Sequence, residues 1–187
     1  MRKEIILKKK DDNEVQAELK ILDISYINKI IKLEQEIYNG LENKEFYSCS
    51  SREEYEEKLN GDGAIVGCVN LENDELVAIG AYVEYGYREH NYGYDFGIDG
   101  EELLKVAQIE STIVLNDYRG NKLQKIMCEV LEEMAINNKI KIISATVAPY
   151  NKFSLNTFKN LGYNIVADKL KYGGLRRYVL MKELNRY

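Results

Sequence analysis

The chain has 187 residues and a formal net charge of -5; 45% of its residues are hydrophobic and 30% are charged. This length is typical of one domain that buries its core without disulfides or metals, and the composition is that of a globular protein rather than a disordered one. Because nucleic-acid backbones are bound by clustered Lys and Arg, the negative charge argues against a nucleic-acid partner. We expect a single domain over residues 1–187.

The cysteines, the histidine and the N-terminal segment exclude further classes. Cys49, Cys68 and Cys128 are an odd number without Cys-x-x-Cys spacing, and His90 is the only histidine. We therefore expect neither a disulfide framework nor a metal site. Residues 1–12 are too short for a signal peptide, and no membrane-length apolar run follows. We expect a cytoplasmic protein without a membrane partner, and we assign no role to His90.

The first half of the chain predicts strands, two helices and a loop excursion. Apolar and polar residues alternate over 15–21, which is the period of a half-buried strand. Asp23 caps a helix for which Gly40 is a stop signal, and the turn-forming residues 72–74 indicate a hairpin. The segment 85–100 is rich in Gly, Tyr, Asn and Asp and predicts an excursion whose tyrosines either line a pocket or pack. The remaining elements are a short helix over 52–59 and hairpin strands over 64–69 and 76–83.

The second half is more regular and predicts a strand, helix, strand unit. A helix over 120–137 lies between strands over 109–115 and 140–147, and this order predicts a parallel pair joined by a right-handed crossover. Pro149 ends the second strand, and a helix over 151–160 follows. Closing strands are predicted over 163–167 and 176–181. The core-facing stripe of the long helix consists of Leu123, Ile126, Met127, Val130, Leu131, Met134 and Ala135.

The junction between strand 109–115 and the following helix suggests a phosphate site. The first turn of a helix has unpaired backbone N–H groups and the positive end of the macrodipole, so a pyrophosphate can bind there without a dedicated side chain. Gly120 would permit close approach of the ligand. Taken alone, Arg119-Gly120 before a helix is equally compatible with a plain loop.

The residues after the neighbouring parallel strand strengthen this interpretation. They include Pro149-Tyr150-Asn151, Ser154 and Leu161-Gly162-Tyr163. Together with the junction they resemble the GNAT superfamily of acetyl-CoA-dependent N-acetyltransferases, and the similarity runs from about residue 109 to residue 163. The resemblance implies an α/β fold with a mixed, mostly antiparallel twisted sheet, helices on both faces and one splayed parallel strand pair. It also implies acetyl-CoA as the donor substrate, with no metal.

The resemblance also implies where acetyl-CoA is held. Backbone amides of the loop would bind the pyrophosphate, the end of the strand would pair with the pantetheine arm, and Asn151 would hydrogen-bond that arm. One departure is that Lys122 and Gln124 stand where the family commonly has Gly or Ala, although both still offer backbone N–H groups. The cofactor-binding residues expected from the resemblance are Val114, Leu115, Arg119, Gly120, Asn121, Lys122, Leu123, Gln124, Asn151 and Ser154.

Glu110 is the candidate catalytic base. Strict alternation places it on one face of its strand with Gln108 and Thr112, and places Ile109, Ser111 and Ile113 on the other face. A carboxylate in a central strand needs a reason, and an attacking amine must lose a proton near pH 7. In several GNAT enzymes the residue at the matching place is a base. The alternative is a glutamate at an exposed or paired position. A backbone N–H near Val114 is the candidate for stabilising the oxyanion.

Two further features concern the acceptor and the leaving group. Residues 34–57 carry eight Glu with only Lys44 and Arg52 as basic residues. In the superfamily this region borders the acceptor site, so a cationic acceptor would be favoured there; the alternative is two solvated helix faces.

The family often has a Tyr that protonates the departing thiolate where this chain has Phe158. Tyr163, Tyr150, water or the helix N-terminus could stabilise the thiolate instead.

These features predict transfer of an acetyl group from acetyl-CoA to an amine, directly in a ternary complex. The acceptor would be a small-molecule or peptide amine of unidentified structure, and a homodimer is an open option. Two alternatives stand beside this interpretation. The first is a non-catalytic acetyl-CoA-binding sensor or regulatory module, and the second is an α/β scaffold without a cofactor.

Overall fold

The computed structural model describes residues 2–184, apart from the side chain of residue 62. Its strands form one sheet in the order β1-β2-β3-β4-β5-β6-β8-β7. Neighbouring strands are antiparallel except β5 and β6, which are parallel, so the predicted mixed α/β sheet is confirmed. The strands are β1 (Arg2–Lys8), β2 (Glu14–Ile21), β3 (Gly63–Asn70), β4 (Leu76–Val83), β5 (Val106–Val114), β6 (Ile142–Val147), β7 (Asn164–Lys171) and β8 (Leu175–Glu183); the helices are α1 (Ile27–Asn39), α2 (Arg52–Glu57), α3 (Leu123–Asn137) and α4 (Lys152–Asn160).

Helices cover both faces of the sheet. In the β3–β4 ladder, Gly67 lies opposite Ile79, the residue before Gly80. Because paired residues share a face and consecutive residues alternate, Gly67 and Gly80 face opposite sides of the sheet. A Cβ on Gly67 would lie 2.7 Å from Leu22, which precedes α1, whereas a Cβ on Gly80 would meet α3 side chains at 3.3 Å. α1 contacts α2, β4 and β5, and α3 contacts β3, β4, β5 and α4. No helix in the described part of the chain is long and apolar enough to cross a membrane.

Strand β1 is an element that the sequence did not predict. It pairs antiparallel with β2 along its whole length, from Arg2 opposite Lys20 to Lys8 opposite Glu14. Only Leu7 of this strand is fully buried. A strand at the edge of the sheet with one buried side chain does not carry the alternation by which strands are recognised.

The loop before α3 is longer than predicted. The helix begins at Leu123 rather than at residue 120, because Gly120 and Lys122 both have positive φ angles of 98° and 58°. A left-handed residue interrupts a right-handed helix. Three residues of the predicted helix therefore belong to the loop that faces the cleft.

A bulge in β5 changes the predicted alternation. Ser111 has a φ angle of 47°, and the pairing with β4 skips from Ala81 opposite Glu110 to Ile79 opposite Ile113. Gln108 and Glu110 share the α1 face, as predicted. Thr112 lies on the α3 face, where its hydroxyl accepts a hydrogen bond from the Gln124 side chain at 3.0 Å. The prediction that it faces the same side as Glu110 is wrong, because the extra residue of a bulge shifts the alternation by one.

Candidate active site

A cleft of about 1810 Å³ opens where β5 and β6 separate. The parallel pairing runs from Val106 opposite Ile142 to Ile109 opposite Ala145, and the two strands continue past these residues with the cleft between them. The splayed parallel pair expected from the sequence is therefore present. Of the predicted site residues, those that line the cleft are Glu110, Val114, Leu115, Arg119, Gly120, Lys122, Leu123, Gln124, Asn151 and Ser154.

The N-terminus of α3 faces the cleft with free backbone donors. Lys122 occupies the N-cap position and makes no capping hydrogen bond with its side chain within the described chain. The first hydrogen bond of the helix runs from the Ile126 N–H to the Lys122 carbonyl, so the amides of the preceding turn lack helical acceptors. Around Gly120, nothing lies within 4 Å of where a Cβ would stand. This arrangement suits an anionic group.

The side chain of Asn121 makes a structural contact, and the predicted role of its backbone amide stays a prediction. Its side-chain amide accepts from the Lys8 N–H at 2.8 Å and donates to the Lys8 carbonyl at 2.7 Å. It also donates to the Tyr118 carbonyl at 2.9 Å. The Asn121 side chain therefore ties the loop to β1, and it is not among the described residues that line the cleft.

The backbone of Val114 points into the cleft. The Leu115 N–H donates to the Val77 carbonyl at 2.8 Å, so these two residues form a hydrogen-bonded antiparallel pair. In such a ladder the next pair, Ala78 and Val114, has its N–H and C=O groups turned away from the partner strand. The N–H of Val114 is therefore available to a ligand, whereas the N–H of Leu115 is used in the sheet.

A polar network on the α3 side connects the strand, the loop and α4. The Gln124 side chain donates to Thr112 on β5 and to the Ser154 hydroxyl at 2.9 Å. Asn151 caps α4 by accepting from the Ser154 N–H at 3.2 Å. The predicted residues Asn151 and Ser154 thus stand together at the start of α4, with Gln124 holding this end of the cleft in place.

Glu110 lines the cleft from the α1 face of β5 and is tightly held. Its carboxylate accepts from the Gln108 side chain at 2.8 Å and lies 3.2 Å from the ammonium of Lys58. The Lys58 side chain is 3% exposed and that of Glu110 17% exposed. Gln108 also accepts from the Tyr92 N–H at 3.0 Å and donates to the His90 carbonyl. The ion pair and the amide hydrogen bond hold the carboxylate in a fixed position in the cleft wall.

Lys58 is a site residue that sequence reasoning missed. It follows α2, in a single π-helical turn that spans Lys58–Asp62, within the range predicted as an ordinary short helix. A lysine in a stretch rich in glutamate is typical of a solvated surface. Its burial depends on Glu110, which is distant in the sequence, so no local pattern marks it.

The acidic stretch contributes one buried carboxylate. Glu34 accepts from the Tyr47 hydroxyl at 2.8 Å, the Tyr55 hydroxyl at 2.7 Å and the Ser50 N–H at 2.9 Å. Burial raises the pKa of both tyrosines, with a further contribution from Glu34. This network holds the segment with Tyr47, Cys49 and Ser50 against the cleft. Glu36, Glu42 and Glu54 also line it, so part of the predicted acidic border is present.

Two of the tyrosines in the excursion line the cleft, and two lie at the surface. Tyr85 and Tyr92 line the cleft, whereas Tyr87 and Tyr94 are exposed. The Tyr92 hydroxyl is hydrogen-bonded to the Tyr172 hydroxyl, which in turn bonds to Thr146 at 2.8 Å. Burial raises the pKa of Tyr85, Tyr92 and Tyr172, and the negative charge of Glu110 contributes to all three. These rings therefore lie within electrostatic range of the candidate base.

Phe158 occupies the position where the family often has a tyrosine. It lines the cleft, is 2% exposed and meets the Tyr163 ring edge-on at 5.0 Å between centroids. The Tyr163 hydroxyl is buried without a hydrogen-bond partner among residues 2–184, and its pKa is raised by burial and by Glu132. Neither Tyr163 nor Tyr150 is among the described residues that line the cleft. Of the groups considered for the thiolate, this geometry leaves water and a helix N-terminus.

Comparison with solved structures identifies the fold. The chain resembles a GNAT-family acetyltransferase from Streptococcus pneumoniae with a TM-score of 0.68 and 14% identity, over 90% of this chain and 99% of that one. It resembles the ribosomal-protein-S18-alanine N-acetyltransferase from Escherichia coli with a TM-score of 0.66 and 12% identity, over 91% of this chain and 96% of that one. It also resembles yncA, a putative acetyltransferase from Salmonella typhimurium solved with acetyl-CoA. The TM-score is 0.65 and the identity 12%, and the match covers 90% of this chain and 94% of that one. A search of curated protein sequences gives no match.

The sequence itself shows the family. The model of the acetyltransferase (GNAT) family matches residues 27–163, which is most of the chain. The chain therefore belongs to the GNAT family, as the motifs indicated. Membership supports acetyl transfer as its general chemistry.

Proposed function

We propose that this protein transfers the acetyl group of acetyl-CoA to an amine acceptor, directly in a ternary complex. The observation that carries the proposal is one cleft lined both by the uncapped α3 N-terminus and by the Glu110 carboxylate, whose ion-pair partner is the buried Lys58. An anionic donor and a protonated amine need these opposite environments.

The donor end fits acetyl-CoA. The pyrophosphate would bind the amides of Gly120 to Gln124, where no capping side chain competes within the described chain. The Arg119 N–H donates instead to the Asn116 carbonyl at 3.3 Å. The pantetheine arm would pair with the free backbone edge at Val114, as an added strand does. Asn151 would contact the same arm. In this position the thioester carbonyl lies near the Val114 N–H.

The proposed reaction uses the chain's own groups in three steps. Glu110 accepts a proton from the acceptor ammonium, and the neutral nitrogen attacks the thioester carbonyl carbon. The Val114 N–H donates to the oxyanion that forms. The carbon–sulfur bond then breaks, coenzyme A leaves as a thiolate, the nitrogen releases its second proton to water, and the product is an amide. Gln108 and Lys58 hold the Glu110 carboxylate in position for the first step.

Binding of acetyl-CoA is expected to stabilise the fold. At a free ligand concentration one hundred times the Kd, the free energy of unfolding should rise by about 2.7 kcal/mol, which raises Tm by roughly 5–10 °C for a chain of this size. Thermal unfolding with and without acetyl-CoA measures the effect. Pantetheine lacks the pyrophosphate and is the control that should stabilise far less. No shift with millimolar acetyl-CoA would contradict the proposal.

Release of free thiol separates an enzyme from a sensor. A panel of amines incubated with acetyl-CoA should give steady thiol release above the rate without amine. Binding of acetyl-CoA without thiol release from any amine would favour the regulatory module.

Installing a tyrosine at position 158 is expected to change the rate little. A thiol with a pKa near 8.5 leaves as a thiolate with modest help, so Phe158→Tyr should alter kcat by less than about tenfold, or about 1.4 kcal/mol in the barrier. Phe96→Tyr, outside the residues that line the cleft within the described chain, is the control for the added hydroxyl. A much larger gain in kcat for Phe158→Tyr would show that the natural site lacks an acid that it needs. That result would favour the non-catalytic acetyl-CoA-binding sensor.

A further inference from the structure

Arg177 is a buried cation with an unused hydrogen-bond donor in the wall of the cleft. The residue lies in β8, lines the cleft and is 3% exposed. One guanidinium nitrogen, Nη1, donates to the Arg176 carbonyl at 2.9 Å. The other, Nη2, is buried and has no hydrogen-bond partner among the described residues. A buried donor without an acceptor is costly and rare in folded proteins, which points to a ligand.

The strand register places Arg177 on the same face of the sheet as the candidate base. Gln108 of β5 pairs with Ser144 of β6, and Thr146, two residues further, pairs with Val179 of β8. Paired residues and residues two apart share a face. Arg177 therefore faces the same side as Gln108, which hydrogen-bonds Glu110.

Buried tyrosines connect the two charged groups. The Tyr172 ring lies 5.6 Å from the guanidinium carbon of Arg177, and its hydroxyl bonds to Tyr92 and Thr146. Burial lowers the pKa of Arg177, an effect opposed by Tyr172, Tyr92 and the negative charge of Glu45. An arginine stays protonated under such shifts. The pocket thus has a negative group on one side and a positive group on the other.

The neighbouring cations already have partners. Lys169 and Lys171 form ion pairs with Asp95 at 3.1 Å and 2.5 Å. Arg176, the next residue on the opposite face of β8, forms an ion pair with Asp168 at 2.6 Å. Among the described residues, the Arg176 carbonyl is the one hydrogen-bond acceptor of the Arg177 guanidinium, so its free Nη2 differs from these satisfied groups.

We propose that Arg177 binds a carboxylate of the acceptor, so that the acceptor is a small amine carrying a carboxylate group. This proposal rests on the proposed function and names its substrate class. A charge-assisted hydrogen bond to Nη2 satisfies the donor, and the tyrosine hydroxyls offer further polar contacts. One guanidinium nitrogen with a free donor suits a monoanion better than a phosphate dianion. The amine of the same molecule would face Glu110, so the acidic border and the buried arginine serve opposite ends of one zwitterion.

Matched acceptor pairs test the substrate class. Glycine, β-alanine, γ-aminobutyrate and glutamate are compared with their carboxamides by thiol release at saturating acetyl-CoA. At least one amino acid should have a kcat/KM at least about tenfold above its carboxamide, a difference of about 1.4 kcal/mol. In Arg177→Gln the ratio should fall below about threefold, with the Kd for acetyl-CoA unchanged. Arg176→Gln, which alters a surface ion pair, is the control that keeps the ratio. Equal turnover of every amino acid and its carboxamide would overturn the proposal. So would an unchanged ratio of their kcat/KM values in Arg177→Gln.

A binding measurement decides the question independently of catalysis. Saturation-transfer NMR measures binding of sodium propionate, with propionamide as the neutral control. The spectra are recorded on the protein with coenzyme A bound at the donor end of the cleft, and again without coenzyme A. Propionate should give a signal with the wild type and with Arg176→Gln, and the signal should be lost in Arg177→Gln. Absence of the wild-type signal, or its persistence in Arg177→Gln, overturns the anion site. Failure of acetyl-CoA to bind contradicts the proposed function instead, and propionate still reports on Arg177.

Discussion

Replacing Glu110 with glutamine is expected to lower kcat by roughly 100-fold or more. The amide has nearly the shape of the carboxylate and can keep a hydrogen bond to Gln108, but it cannot accept a proton from the acceptor ammonium. The donor end of the cleft is unaffected, so the Kd for acetyl-CoA should stay nearly unchanged. Steady-state thiol release and calorimetric titration with acetyl-CoA measure the two quantities.

The ion pair with Lys58 requires a second variant. Removing the carboxylate leaves the ammonium of Lys58, 3% exposed, without its charged partner, and breaking such a buried pair destabilises a fold by about 3 kcal/mol. In the double variant Glu110→Gln, Lys58→Met, the unpaired charge is absent and stability should recover, but turnover should not. Activity within a few-fold of wild type in either variant would place proton removal elsewhere.

Local periodicity predicted the elements that build the cleft. The apolar stripe of α3 includes the buried residues Leu123, Met127 and Leu131, and a strand, helix, strand order leaves few topologies other than a parallel pair. The resemblance at residues 149–151 then placed acetyl-CoA beside that pair. The predictions of the helix and the parallel pair are confirmed because each depends on residues close together in the chain, whereas the position of acetyl-CoA stays a prediction.

The features that the sequence did not predict depend on distant contacts or backbone conformation. A serine is not typical of a left-handed position, so nothing local indicates the bulge at Ser111 that turns Thr112 toward α3. Lys58 and Arg177 are hydrophilic residues in polar surroundings, and they are buried only in the assembled fold, Lys58 beside Glu110 of β5 and Arg177 within β8. The chemistry of the acceptor end therefore required the assembled sheet.

The phosphate loop is the place where one backbone change should have a large effect on acetyl-CoA. Gly120 has a φ angle of 98°, which proline cannot adopt because its ring holds φ near -65°, and proline also removes a backbone N–H. Gly120→Pro should therefore displace the amides of Gly120 to Gln124 and raise the Kd for acetyl-CoA more than about tenfold, or 1.4 kcal/mol. Calorimetric titration measures the change.

Gly97 supplies the matched control for this variant. Its φ angle of 83° is also left-handed, nothing lies within 4 Å of where its Cβ would stand, and its N–H donates to the Gly93 carbonyl. Gly97→Pro therefore imposes the same backbone conflict and loses a hydrogen bond, but it lies outside the residues that line the cleft within the described chain. It should lower Tm while leaving the Kd for acetyl-CoA within about twofold, a change well below 1.4 kcal/mol. Equal loss of affinity in the two variants would mean that Gly120→Pro acts through global destabilisation, and the pyrophosphate would then have to bind away from the α3 N-terminus.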